Sequence, residues 1–307
     1  MTRNKALILL HVCVFLWGFT AILGKLISYD SISLVWWRLV IVNVSLVLVL
    51  LFRRKKMQFR LNALGEISLV GFVVAAHWMA FYSGIKLSNI SITMIAFSSG
   101  TFFTALVEPI IYKRKISWNE VLIGLAIILV ISYIGYGEYM KSLEENSLGN
   151  PNMGIIMGLI AAFTASLFST FNGVLIKKNN AFSISFIELI SASIILSILM
   201  FFFFEVPDNL FSPSVEDLFW LLILGVVCTA FPFIVSVEIM KKLTPFTTNL
   251  ALNLETIYAI ALGFIIFGES EKMTVSFYIG GVLILCLIVF NEVIKKRKIK
   301  FNKKNKQ

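Results

Sequence analysis

Few residues of this chain can bind charge or move a proton, and most of them sit inside long apolar runs. His77 is followed by Trp78, Phe81 and Tyr82, and Glu255 stands beside Asn249, Asn253 and Thr256. Trp17, Asn43, Thr101 and Arg38 lie in similar surroundings. Aromatic faces hold apolar groups or an ammonium. A carboxylate receives an amine, and a guanidinium can hold an anionic group through two parallel hydrogen bonds. Imidazole and carboxyl groups exchange protons, which makes His77 and Glu255 candidates for proton coupling. This is the chemistry of recognition. Bond-breaking chemistry lacks its usual parts: the chain has two histidines, His11 and His77, with no His-Glu-x-x-His and no Gly-x-Ser-x-Gly. A Walker-type glycine loop is also absent, which excludes a self-contained ATP-driven pump.

The elements that must position these residues follow from composition. Hydrophobic residues make up 58% of the 307, charged residues 14%, and the mean hydropathy is +0.89. A soluble domain carries about 25% charged residues, so lipid must serve as part of the solvent. Crossing the hydrocarbon layer takes about 20 apolar helical residues. Ten such runs are expected, at 6–28, 32–52, 66–85, 90–112, 118–136, 154–176, 183–204, 218–240, 246–267 and 274–294. They are too long and continuous for barrel strands, so the fold class is an all-α integral membrane protein. The first run is too long for a signal peptide and no small-x-small cleavage site ends it. Cys13, Cys228 and Cys286 are odd in number and scattered in apolar sequence, which argues against disulfides and a zinc site.

Lysine and arginine set the direction. They gather at the N-terminus (Arg3, Lys5), on every second loop (Arg53, Arg54, Lys55, Lys56, Arg60; Lys113, Arg114, Lys115; Lys177, Lys178; Lys241, Lys242) and on the tail from Lys295 to Lys306. The opposite loops hold only Lys86, Lys141 and Lys272, together with acidic Glu144, Glu145, Glu205, Asp208, Glu216 and Asp217. Both termini are therefore expected in the cytoplasm of an inner or plasma membrane. The net charge of +10 belongs to this orientation signal and the bilayer surface, not to nucleic acid.

A charge at mid-bilayer costs roughly 2.5–3.5 kcal/mol on insertion scales, so depth sorts the polar residues. Lys25, Arg38, Glu108, Glu188 and Glu238 fall near span ends, where long side chains reach water. His77 and Glu255 fall near the middle, with Trp17, Asn43 and Thr101 at similar depth. The expectation is a central cavity with aromatics from spans one and three and polar contacts from spans two, four and nine. The candidate substrate contacts are Trp17, Asn43, His77, Trp78, Phe81, Tyr82, Thr101, Asn253 and Glu255, with Arg38 as an anion or gate contact. Asn249, Asn253 and Thr256 form a polar stripe, and Glu255 points about 200° away from Asn253 on the helical wheel. Gly154, Gly158, Ala162, Ser166 and Thr170 give span six a small-residue face suited to close helix contact.

The chain also repeats itself. At a shift of 152–155 residues Ser31-Ile32-Ser33 meets Ser183-Ile184-Ser185, Gly71 meets Gly225, Ala76 meets Ala230, and Thr101 through Tyr112 meets Thr256 through Phe267. Two halves of five spans each must enter the membrane in opposite senses, an inverted repeat with a shared site between them. The expected division is 1–140, a connecting loop at 141–153, a second half at 154–294 and a basic tail at 295–307.

Five plus five spans, Phe15-Leu16-Trp17-Gly18, Arg38, and the helix endings Glu108-Pro109-Ile110-Ile111-Tyr112 and Ile266-Phe267-Gly268-Glu269 resemble the EamA-type branch of the drug/metabolite transporter superfamily. The second copy has Thr256 where that family often has proline, and the first has Lys113-Arg114 in place of Gly-Glu. The resemblance implies a gradient-driven exporter of amino acids or related small metabolites working by alternating access, with no cofactor. Gradient-driven import, or a channel or other multi-span binding protein, is the alternative; Gly100 opposite Glu255 and Trp17 opposite Ser169 argue against the symmetric filter of a channel. The expected partners are a small-molecule substrate and the lipid bilayer, with a homodimer left open.

Overall fold

The computed structural model describes residues 1–52, 57–145 and 150–304. The basic run Arg53–Lys56, residues 146–149 of the connecting loop and residues 305–307 of the tail lie outside the described residues. Inside lipid each backbone N–H needs a partner from its own helix, and the described residues form helices with no strand. The helices are α1 (Arg3–Leu26), α2 (Ser31–Phe52), α3 (Leu64–Leu87), α4 (Ile90–Phe97), α5 (Gly100–Ile111), α6 (Trp118–Glu145), α7 (Pro151–Leu175), α8 (Ala181–Phe203), α9 (Val215–Leu222), α10 (Phe231–Ile239), α11 (Pro245–Phe267) and α12 (Val275–Lys304). Side-chain caps start many of them: Asn89 accepts from Ile92 N, Asn150 from Met153 N, Asn180 from Ser183 N and Thr244 from Thr247 N. Pro151 and Pro245 follow two of these caps, at a position whose N–H would have had no partner.

Nine helical stretches among the described residues are long and apolar enough to cross a membrane, and a shorter apolar stretch, Val275–Leu287, lies in α12. Two of the nine are interrupted. The stretch Ile90–Ile111 breaks at Ser98–Ser99 between α4 and α5. The stretch Val215–Ile239 widens into a π-helical segment, Ile223–Ala230, between α9 and α10. Pro232 follows the widened turn; its ring supplies no N–H and crowds the carbonyl four residues back, which the looser winding relieves.

The halves pack reciprocally. α1 lies against α11 and α4 against α7; α3 lies against α8, and the π segment against α2. The matched glycines mark the last pair of contacts. A side chain on Gly71 would strike the Glu188 carbonyl of α8, and one on Gly225 would strike Ile41 of α2. The linkers repeat the exchange. At the end of the bundle holding the start of α1, Gln58 N donates to Ser183 Oγ (2.8 Å) and Arg60 N to Asn179 Oδ1 (2.9 Å). At the far end Ser28 N donates to Asp217 Oδ1 (2.7 Å) and Tyr29 Oη to the Asn209 carbonyl (2.8 Å). The small face of α7 is used where expected, since any side chain on Gly158 would collide with Ala96 and the Thr93 carbonyl of α4.

Candidate functional site

A cavity with about 70 Å³ of room lies at the centre of the bundle. Six of the anticipated residues line it: Trp17 from α1, Arg38 from α2, His77, Trp78 and Phe81 from α3, and Glu255 from α11. The sequence did not place Phe97, Phe168, Phe233, Ser169, Ser236 or Leu252 on the wall, much of which they complete, nor Thr20, Met240 and Thr248 at its extremities. A signal for several of them was present. At a shift of 152 Trp17 corresponds to Ser169, and at 155, one more than aligns Gly71 with Gly225, Trp78 corresponds to Phe233, Phe81 to Ser236 and Phe97 to Leu252; all eight face the cavity. Trp78 and Phe233 meet edge to face across it, with ring centroids 5.9 Å apart.

Arg38 does not reach for water at a span end, as its depth in the sequence suggested. It is 3% exposed, and its guanidinium lies 3.9 Å from the centre of the Trp78 ring. Its Nε donates to Thr229 Oγ1 (2.8 Å) and its Nη1 to Tyr82 Oη (2.9 Å). Thr229 reaches it from the π segment, where its own hydroxyl donates to the Leu224 carbonyl five residues back. A packed aromatic and two hydroxyls therefore hold the cation in place, which snorkelling would forgo.

Glu255 is buried on the cavity wall and accepts no hydrogen bond from the described residues. The charge that acts on it through space is Arg38, with no ion pair joining them among the described residues. His77 is pinned by its Nδ1, which donates to the Ala161 carbonyl at 2.8 Å. A carbonyl can only accept, so this bond places the proton on Nδ1 and leaves Nε2 as the acceptor of the neutral ring. Phe81, Phe97 and Phe168 surround it at 5.3–6.1 Å between centroids.

The remaining candidates sit elsewhere. Asn43 is not on the cavity wall: its amide donates to the Leu189 carbonyl (3.1 Å) and Ser193 Oγ (2.6 Å), joining α2 to α8. Tyr82 is fully buried behind Arg38. Thr101 accepts from Asn253 Nδ2 at 2.9 Å, and Asn253 borders a small separate pocket with Gly100 and Asn249. Their polar groups found helix partners, the commoner fate of amides and hydroxyls in lipid. Asn253 and Glu255 thus face different ways, as their positions on one helix require.

The cavity is sealed unequally. Towards the end of the bundle where α1 starts it extends to Met240 and Thr248, near the termini of α10 and α11. The far end is tied shut. Glu271 accepts from Lys25 Nζ (2.8 Å), from the Ile90 and Ser91 N–H groups (3.2 and 3.0 Å) and from Ser91 Oγ (2.9 Å). Lys25 also lies 4.5 Å from the centre of the Phe267 ring.

Comparison with known proteins agrees with this architecture. A family model described as the EamA-like transporter family matches the chain twice, over residues 4–136 and 152–292. A crystal structure of another protein, 13% identical, superposes with a TM-score of 0.67 over 96% of this chain and 99% of the other, a likeness of fold. No curated protein matches the sequence.

Proposed function

Because the chain belongs to the EamA-like transporter family, we propose that it is a secondary carrier that exports amino acids or related small zwitterions by alternating access. It is a multi-pass membrane protein of a transporter family; the substrate, the direction and the mechanism are our reading. One observation carries that reading: Arg38 and Glu255, a base and an acid that are both buried, face the same cavity with no ion pair between them among the described residues. A buried guanidinium without a counter-ion and a buried carboxyl without a hydrogen-bond partner are both costly. A ligand that brings a carboxylate to the guanidinium and an ammonium to Glu255 satisfies both, while the aromatic wall takes its side chain.

In this reading the two halves, 1–140 and 154–294, are inverted five-span repeats, α12 is the tenth span and both termini are cytoplasmic. The distribution of lysine and arginine supports that orientation, and the reciprocal packing of the halves supports the inversion. The cavity then extends towards the cytoplasm with its outer end latched, the state in which an exporter loads. Glu255 and His77 are the groups able to exchange a proton with the passing substrate, and the reaction is transport with no catalytic step.

Counterflow in proteoliposomes tests this. Vesicles preloaded with zwitterionic amino acids should accumulate labelled amino acid, and Glu255→Gln and Arg38→Gln should each lower the initial rate at least tenfold. Wild-type counterflow in both variants, or current that rises linearly with voltage, overturns the reading.

A further inference from the structure

A second buried polar site lies away from the substrate cavity, in the seam where α3, α7 and α8 meet. Glu188 on α8 is wholly buried, and its Oε2 accepts from Asn172 Nδ2 of α7 at 3.3 Å. Its Oε1 has no hydrogen-bond partner, and neither has the Asn172 Oδ1 nor the Ser185 Oγ. All three residues are at most 1% exposed. Ser185 stands three residues before Glu188, on the same face of α8 and one turn nearer its start. A carboxyl, an amide carbonyl and a hydroxyl thus leave three unsatisfied oxygens on adjoining turns of α7 and α8. Unpartnered buried polar atoms are rare, and each costs about 1–3 kcal/mol.

The oxygens share a chemistry. They are hard donors of the kind that replaces the hydration shell of a small hard cation, and they carry one negative charge when Glu188 is ionised. Among the described residues no basic group pairs with that carboxyl. On the elements packed around α8, Glu66 of α3 is exposed and His77 is bonded to Ala161. Arg38 of α2 is committed to Thr229 and Tyr82, and Glu238 of α10 pairs with Lys241 at the surface. Lys177, just past α7, lies over Tyr112. The position also matters for movement. The α3 backbone is pressed against the Glu188 carbonyl at Gly71, so the first half touches the second at this very turn.

We propose that Glu188, Asn172 and Ser185 form a binding site for one monovalent cation, Na⁺ or a proton, separate from the substrate cavity, which stabilises the α3–α8 contact between the halves. It rests on the carrier reading for its role in coupling, but binding itself can be measured without any substrate.

The test uses the purified full chain in detergent, with thermal unfolding and infrared absorption of carboxyl groups as readouts. Wild type is compared with Glu188→Gln, Asn172→Ala and Ser185→Ala, with Glu255→Gln as the control that leaves this site intact. NaCl replacing choline chloride at constant ionic strength should raise the unfolding midpoint of wild type and Glu255→Gln and leave Glu188→Gln unmoved. That outcome assigns Na⁺. If Na⁺ has no effect, a protonated-carboxyl band present in Glu255→Gln and lost in Glu188→Gln assigns a proton. Asn172→Ala and Ser185→Ala keep the carboxylate and fold without a charge change; each should weaken the response at least threefold. A Na⁺ response and a carboxyl band both unchanged by Glu188→Gln overturn the proposal. Counterflow persisting in that case leaves the carrier reading standing, and the two failures are told apart.

Discussion

The two ends of the bundle are built from matched residues and closed by different chemistry. At the far end Lys25 lies over Phe267, 4.5 Å from the ring centre; at the opposite end its counterpart Lys177 lies over Tyr112 at 4.7 Å. Asn89 caps α4 as its counterpart Thr244 caps α11. There the likeness stops. At the far end Glu271 gathers the ammonium, two backbone N–H groups and a hydroxyl. In the other copy the corresponding positions are Ile116 for Glu271, Pro245 for Ile90 and Phe246 for Ser91. Pro245 has no N–H to give, Phe246 has no hydroxyl, and Ile116 has no carboxylate. Arg114 beside it turns to Glu108 (3.3 Å) and Glu120 (3.7 Å) instead. The two copies differ at these three positions, and one end of the bundle has a polar latch where the other has none. In the carrier proposed above, unequal closure of the two ends makes the resting populations unequal.

Removing the latch should give the largest effect. Glu271→Ala strands four donors, one of them charged, and should cost about 3 kcal/mol or more in thermal unfolding. It should also increase labelling of a Thr20→Cys reporter from the far side, in a Cys286→Ser background. Unchanged labelling would mean that Glu271 does not set the asymmetry. Building a latch at the other end is the reciprocal experiment. Ile116→Glu with Pro245→Ala restores an acceptor and a donor, and labelling of Ser169→Cys from the N-terminal side should fall several-fold. Lys25→Met should matter less, about 1–2 kcal/mol, because Glu271 keeps its three other donors and the lysine is 28% exposed. Smallest of all, Phe267→Leu and Tyr112→Leu each remove one cation–π contact, about 0.5–1 kcal/mol. Equal effects are expected in unfolding midpoints; a large difference would show that the ends differ in more than the latch.

Hydropathy made the spans legible because lipid imposes one rule on all of them, a long apolar helix satisfied from within. It did not show the interruptions. Ser98–Ser99 reads as two small residues in an apolar run, and the π segment before Pro232 shows only in the backbone. Yet that segment delivers Thr229 to Arg38. Depth along a span was a weaker guide than it looked. Arg38 and Glu188 lie close to span ends in sequence and are buried in the structure, because neighbouring helices, not water, cover those turns. Asn43, Thr101 and Asn253 have the depth of cavity residues and bond to other helices. Rotation about the helix axis decides between cavity and contact, and rotation depends on which partner each face meets.

By itself, the order of residues determined that this chain crosses lipid many times, which end its positive charge marks and that one half is a copy of the other. These follow from composition and periodicity, which act along the chain whatever its partners. The tertiary structure decided which polar groups share a cavity, which are spent on holding helices together, and which end of the bundle is latched. Such choices depend on contacts between residues more than a hundred positions apart, as between Lys25 and Glu271, and local sequence carries no energy for a contact until the two helices meet.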